Sequence, residues 1–196
     1  MALEHALLVA LREQPASGLE LTRRFERSIG HFWSATHQQI YRVLGRMERD
    51  GWVSVETVAQ QGRPDKKVYD VTPIGREALA DWLAAPTPES PLRSELAVKM
   101  RGASYGGAAG RAAVLESVRA HVADHELRLD HYRHLMKRDY PDGVAGLSGH
   151  ALDQYLVLRG GILLEEGQIA WLTEYLDAHH DAHRDAHLDA RPAAKD

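Results

Sequence analysis

Between residues 36 and 72 the hydrophobic period of the chain changes from 3.6 to 2, and this limits the fold more than any other feature of the sequence. In "SATHQQIYRVLGRMERDGW", residues 34–52, Ile40, Val43, Leu44 and Met47 recur at i, i+3, i+4 and i+7, the spacing of a helix with one buried side. Thr36 with Gln39 has the form of a capping box at its start, with Ser34 as the other candidate cap, and Asp50-Gly51 closes it. "WVSVETV" (52–58) and "KVYDVT" (67–72) then alternate β-branched or aromatic residues with polar ones, joined by the polar loop "AQQGRPDKK". A two-stranded hairpin with a long tip is predicted.

Helices are expected on either side. Leu3, Ala6, Leu7, Ala10 and Leu11 make a helical stripe that "PASG" breaks. Ser17 and Glu20 fit a capping box for a second helix, with Leu21, Phe25 and Ile29 on its buried side and Gly30 at its end. After the hairpin, Thr72 caps a fourth helix with Pro73 at its first position, and Ile74, Ala78 and Trp82 are expected to form its buried face. Helix, helix, turn, helix and hairpin is the order of a winged helix-turn-helix.

"AAPTPESP" (84–91) has the composition of a linker. A short helix follows from about Leu92 to Met100, then "GASYGGAAG", then two long helices near 108–139 and 149–178. Leu115, Val118, Val122, His125, Leu129, Tyr132 and Met136 in the first alternate steps of three and four. Ala151, Tyr155, Leu158, Ile162, Glu165, Ile169, Leu172 and Leu176 do so in the second. An antiparallel hairpin turning at "YPDGVAGLS" would bring the two polar intrusions, His125 and Glu165, opposite one another. The predicted fold is therefore mainly α with a small β-hairpin: a winged helix-turn-helix at 1–85, a linker at 86–92, an antiparallel long-helix dimerisation and effector domain at 93–178, and a His/Asp tail at 179–196 expected to be disordered.

Composition removes several functions. The chain has no cysteine, so disulfides, thiolate nucleophiles and cysteine zinc sites are excluded. No apolar run approaches the roughly 20 residues of a membrane span, and a cytoplasmic location is expected. No Gly-rich phosphate loop, His-Glu-x-x-His helix or nucleophile elbow is present, so no enzymatic activity and no cofactor are expected. The net charge is −4, yet residues 36–67 hold 6 basic against 4 acidic side chains, which suits a local polyanion contact. An ordinary solvated helix has the same polarity. A major-groove helix, however, also needs long polar side chains opposite its core face and a small residue where backbone comes close, which Gln38, Gln39, Arg42, Arg49 and Gly45 supply.

"LEHALLVALREQPASGLEL", "IGHFWSATHQQIYRVLGRMERDGWV" and "GRPDKKVYDVTPIGREAL" resemble the PadR family of bacterial transcriptional regulators. "LRSELAVKMRGA" and "GGILLEEGQIAWL" are similar to the helical C-terminal domain of the subgroup in which that domain is long. Leu19 departs from the aromatic residue common after Ser-Gly in the family. The resemblance implies a homodimeric repressor that binds a palindromic duplex operator and is released by a small effector. It implies that Thr36, His37, Gln38, Gln39, Tyr41 and Arg42 contact DNA from the recognition helix, and Arg63, Lys66 and Lys67 from the wing. Trp33, Tyr132, Tyr155 and Trp171 are the candidate effector pocket. The alternative reading is a metal-responsive or metal-buffering protein that uses His179, His183 and His187 of the tail.

Overall fold

The computed structural model describes residues 2–27, 35–59, 62, 65–88 and 93–189, with no side-chain description at 2, 26, 27 and 181–189. The chain divides into two compact units, Met1–Ser90 and Pro91–Asp196. The first contains α1 (Ala2–Glu13), β1 (Ala16–Ser17), α2 (Gly18–Arg27), α3 (His37–Arg49), β2 (Val53–Val58), β3 (Lys66–Val71) and α4 (Pro73–Ala84). The second contains α5 (Glu95–Gly102), a 3-10 turn (Ala103–Gly106), α6 (Gly107–Asp139) and α7 (Gly149–Asp189).

In the first unit the predicted hairpin gains a third strand. The sheet order is β1-β3-β2, all antiparallel, with Ala16 opposite Tyr69 and Val53 opposite Val71. Leu7, Leu8 and Leu11 of α1, Leu21 of α2, and Ile40, Leu44 and Met47 of α3 are at most 1% exposed and form one core with Val53, Tyr69 and Val71. Thr36 supplies the cap of α3: its N–H donates to Gln39 Oε1 at 2.8 Å and its Oγ1 accepts from the Gln39 N–H at 3.3 Å. At the other end Gly51 takes φ +72°, and the Trp52 N–H closes back on the Met47 carbonyl at 2.8 Å. That left-handed closure turns the chain from helix into strand within three residues.

The expected inner face of α4 is corrected. Ile74 is 57% and Trp82 40% exposed, whereas Gly75 and Leu79 are buried. Thr72 caps the Gly75 N–H and donates to the Gly51 carbonyl, drawing the first turn of α4 onto the end of β2. A Cβ at Gly75 would lie 2.1 Å from the Trp52 carbonyl oxygen, so only glycine permits this approach, and the helix is rotated to put Leu79 inward. Trp82 instead stacks on His5, with ring centroids 4.6 Å apart and planes 9° apart. Ile29, Gly30 and Ser34 lie outside the described residues.

In the second unit α6 and α7 pack along the predicted stripes. Val118 and Leu172 form one buried group with Met100, and Leu129, Tyr132 and Ile162 form another. Between them His125 Nδ1 contacts Glu165 Oε2, and Arg128 Nε donates to Glu165 Oε1 at 3.1 Å. The expected pairing is therefore present, with an arginine as third member. Burial first, and then the Glu165 charge, pushes the Tyr132 phenol above its ordinary pKa. The tail expected to be disordered from 179 instead continues α7 through Asp189: the Asp-Ala-His repeat contains no Gly or Pro before Pro192, so nothing in it stops the helix. Residues 190–196 lie outside the description. Among the described residues, no helix is long and apolar enough to cross a membrane.

Candidate nucleic-acid interface

The geometry begins with α3. Its buried side keeps Ile40, Val43, Leu44 and Met47 in the core, so the helix cannot rotate, and His37, Gln38, Gln39, Tyr41, Arg42 and Arg49 are exposed on the remaining surface. Gly45 is half-buried, but a Cβ built there would meet nothing within 4 Å among the described residues. Arg46 turns back and pairs with the buried Glu4 of α1, which withdraws it from the polar face. The Gln39 side-chain oxygen is committed to the cap, leaving its amide NH2 as the outward group.

The first turn of α2 ties both candidate reading elements together. The Tyr41 ring lies over Gly18: a Cβ there would come within 2.5 Å of its Cζ and 2.8 Å of its hydroxyl oxygen. Glycine at 18 therefore makes room for the tyrosine, which remains 41% exposed and packs against His37 at a centroid distance of 4.5 Å. Two residues on, Glu20 divides its carboxylate. Oε2 accepts from the Ser17 N–H and Oγ, each at 2.9 Å, and Oε1 accepts from Lys66 Nζ at 2.7 Å. The bond from Lys66 and then that from the Ser17 N–H hold the Glu20 pKa down at about 2. Lys67, next along β3, is exposed; Gly62 at the wing tip is exposed with φ +70°; Arg63 lies outside the described residues.

Three of the four candidate effector residues lie among the described residues, all in the second unit. Tyr132 is 2% exposed in the α6–α7 seam, Tyr155 meets Tyr140 edge-on at 5.4 Å, Trp171 is 40% exposed, and Trp33 lies outside the description. An open groove of about 660 Å³ is lined by Leu129, Arg133, Glu166, Ile169 and Thr173 with their neighbours. His179 packs its ring on Tyr175 at 4.5 Å, and the side chains of His183 and His187 are outside the description. Among the described residues no three His, Asp or Glu side chains converge on a metal-sized site.

Sequence reasoning missed β1, the Glu4–Arg46 pair and the Glu20–Lys66 pair. A two-residue strand carries no measurable period, and the Glu20 capping pattern concealed a second use for the same carboxylate. Residues 7–81 match the transcriptional regulator PadR-like family, and residues 92–180 match the virulence activator alpha C-terminal domain. The chain is 52% identical to a probable transcriptional regulator of Mycobacterium tuberculosis, over 91% of this chain and 97% of that one. Bacillus subtilis PadR solved in complex with operator DNA superposes with a TM-score of 0.76 at 25% identity, covering 91% of this chain and 99% of that one. The Vibrio cholerae virulence activator AphA superposes with a TM-score of 0.74 at 29% identity, covering 92% and 99%. Bacillus subtilis PadR has also been solved with p-coumaric acid; that structure has a TM-score of 0.71 at 24% identity and covers 91% and 98%. A helix with one buried side, a basic wing strand and a long helical second unit, in a chain so similar to a probable transcriptional regulator along almost its whole length, make this chain a member of the PadR-like family of transcriptional regulators.

Proposed function

We propose that the chain is a homodimeric repressor that reads a palindromic duplex operator with α3, holds the flanking phosphates with the wing, and releases DNA when a small effector binds the helical unit. It would act in the cytoplasm, where its operator is. The observation that carries the reading is the fixed outward face of α3, where Gln38, Arg42 and Arg49 are exposed around a glycine whose missing side chain no contact among the described residues explains. Gln and Arg are the residue types that make bidentate contacts to adenine and guanine edges.

Dimerisation is supported by the outer face of α7. Leu156, Leu163, Leu164 and Trp171 are 40–63% exposed there, interleaved with Gly160 and Gly167, which have no neighbour where a Cβ would stand. A sustained apolar stripe of this kind calls for a partner helix. The effector part rests on the solved p-coumaric acid complex of Bacillus subtilis PadR.

Footprinting on the region upstream of the protein's own coding sequence, at stated salt, tests the reading. The expected result is two protected half-sites about one helical turn apart. Arg42→Ala should then alter which sequence is preferred, whereas Lys67→Ala should weaken all sequences alike. Binding no tighter than to random duplex would refute it.

A further inference from the structure

We infer that Glu20 is a positioning residue that withholds Lys66 from DNA, so that the wing strand presents a neutral Glu20–Lys66 pair in place of a phosphate-binding cation. This rests on the duplex-DNA reading above and corrects the expectation that both wing lysines serve the backbone. Lys66 and Lys67 are adjacent on β3, opposite Val58 and Thr57 of the wing, and so point to opposite faces of the hairpin. Lys67 is exposed, and Lys66 turns to α2.

The carboxylate is built to keep its lysine. Glu20 receives two bonds from Ser17 and one from Lys66, so it is fixed before the ammonium arrives and pays little ordering entropy to hold it. If Lys66 left for a phosphate, it would strand a carboxylate with 42% of its side chain exposed beside the negative backbone. Moving the lysine therefore exchanges one ion pair for another and adds a repulsion. The pair stays closed, one fewer counterion is released on binding, and a larger share of affinity falls to base contacts from α3. The wing strand is anchored to the same turn whose Gly18 the Tyr41 ring overlies, so the clamp also fixes the strand against α3.

The test measures the full-length chain on a random-sequence duplex, as log K against log salt, for the wild type, Glu20→Gln, Lys66→Ala, the double variant and Lys67→Ala. Glutamine keeps an oxygen for the Ser17 N–H, so the cap survives while the charge is lost. Glu20→Gln should steepen the salt slope by about 0.9 and tighten binding roughly three- to tenfold near 0.1 M salt, as one added phosphate contact does. The double variant should return to the wild-type slope. Lys66→Ala alone bares the Glu20 carboxylate and should bind more weakly than the wild type, and Lys67→Ala should make the slope shallower by about 0.9. A double variant with a slope shallower than the wild type by about 0.9, matching Lys67→Ala, or an unchanged slope for Glu20→Gln, overturns the inference while leaving the DNA reading intact. No salt-dependent binding by the wild type overturns the DNA reading, and the clamp falls with it.

Discussion

At Gly45, on the face proposed to read DNA, folding and recognition would make opposite demands on a single residue. A glycine in mid-helix costs about 1 kcal/mol relative to alanine, and no neighbour here occupies the space a methyl group would take. Gly45→Ala should therefore raise the unfolding free energy by about 1 kcal/mol in urea titration while weakening operator binding, because the methyl group would stand where α3 meets the groove. Stabilisation with unchanged DNA affinity would show that the position faces away from DNA. Glu20 gives a second prediction, for stability. Its folded pKa of about 2 lies below the ordinary 4.5, so the charged pair supports the fold above about pH 4.5 and loses that support as pH falls toward 2. Because the carboxylate side chain is 42% exposed, solvent screening limits the contribution to about 1 kcal/mol. Wild type should exceed Glu20→Gln in stability by that amount at neutral pH, and the difference should vanish near pH 2 in paired denaturant titrations.

At the scale of elements, the α6–α7 seam was legible because both helices repeat hydrophobic residues in alternating steps of three and four, and a single loop fixes the antiparallel register. His125 opposite Glu165 follows from that arithmetic alone. Arg128 does not, because an exposed arginine one turn away reaches the pair by side-chain length rather than by heptad position. The same contrast runs through the first unit. Thr36, Gln39, Thr72 and Pro73 announce helix starts through local chemistry, whereas the inward face of α4 is set by a close approach of Gly75 to a distant carbonyl that no local pattern records. The candidate interface divides likewise: the outward side chains of α3 follow from its apolar period, but the partners of Lys66 and Arg46 lie 46 and 42 residues away. In the seam, Glu165→Ala should cost about 2 kcal/mol, since it removes the carboxylate that His125 and Arg128 share and leaves the Arg128 guanidinium facing His125 Nδ1, in a site where the histidine and glutamate side chains are only 16% and 13% exposed. Converting His125 and Glu165 together to leucine should recover most of that loss in thermal unfolding; no recovery would mean that the polar cluster itself specifies the register.

For the whole molecule, one chain carries one α3 and one wing, which is half of what a palindrome requires. The surface proposed to join two such chains is the outer stripe of α7, where Leu163 is 53% exposed and Gly160 and Gly167 lower the helix surface on either side. Introducing a charge there leaves the α6–α7 seam intact, because Ile162, Leu172 and their partners occupy the opposite side. Leu163→Glu with Leu164→Glu should therefore preserve helical content by circular dichroism and shift sedimentation from dimer to monomer. Operator affinity should fall by about a hundredfold or more, since the second half-site would no longer be bound at the high effective concentration that linkage provides. Lys67→Ala, by comparison, would remove a single proposed phosphate contact and should cost only a few-fold near 0.1 M salt. The size of the gap between these two variants measures how much of operator recognition belongs to the assembly rather than to the reading head. A double variant that still sediments as a dimer would assign the interface to another face of the helical unit.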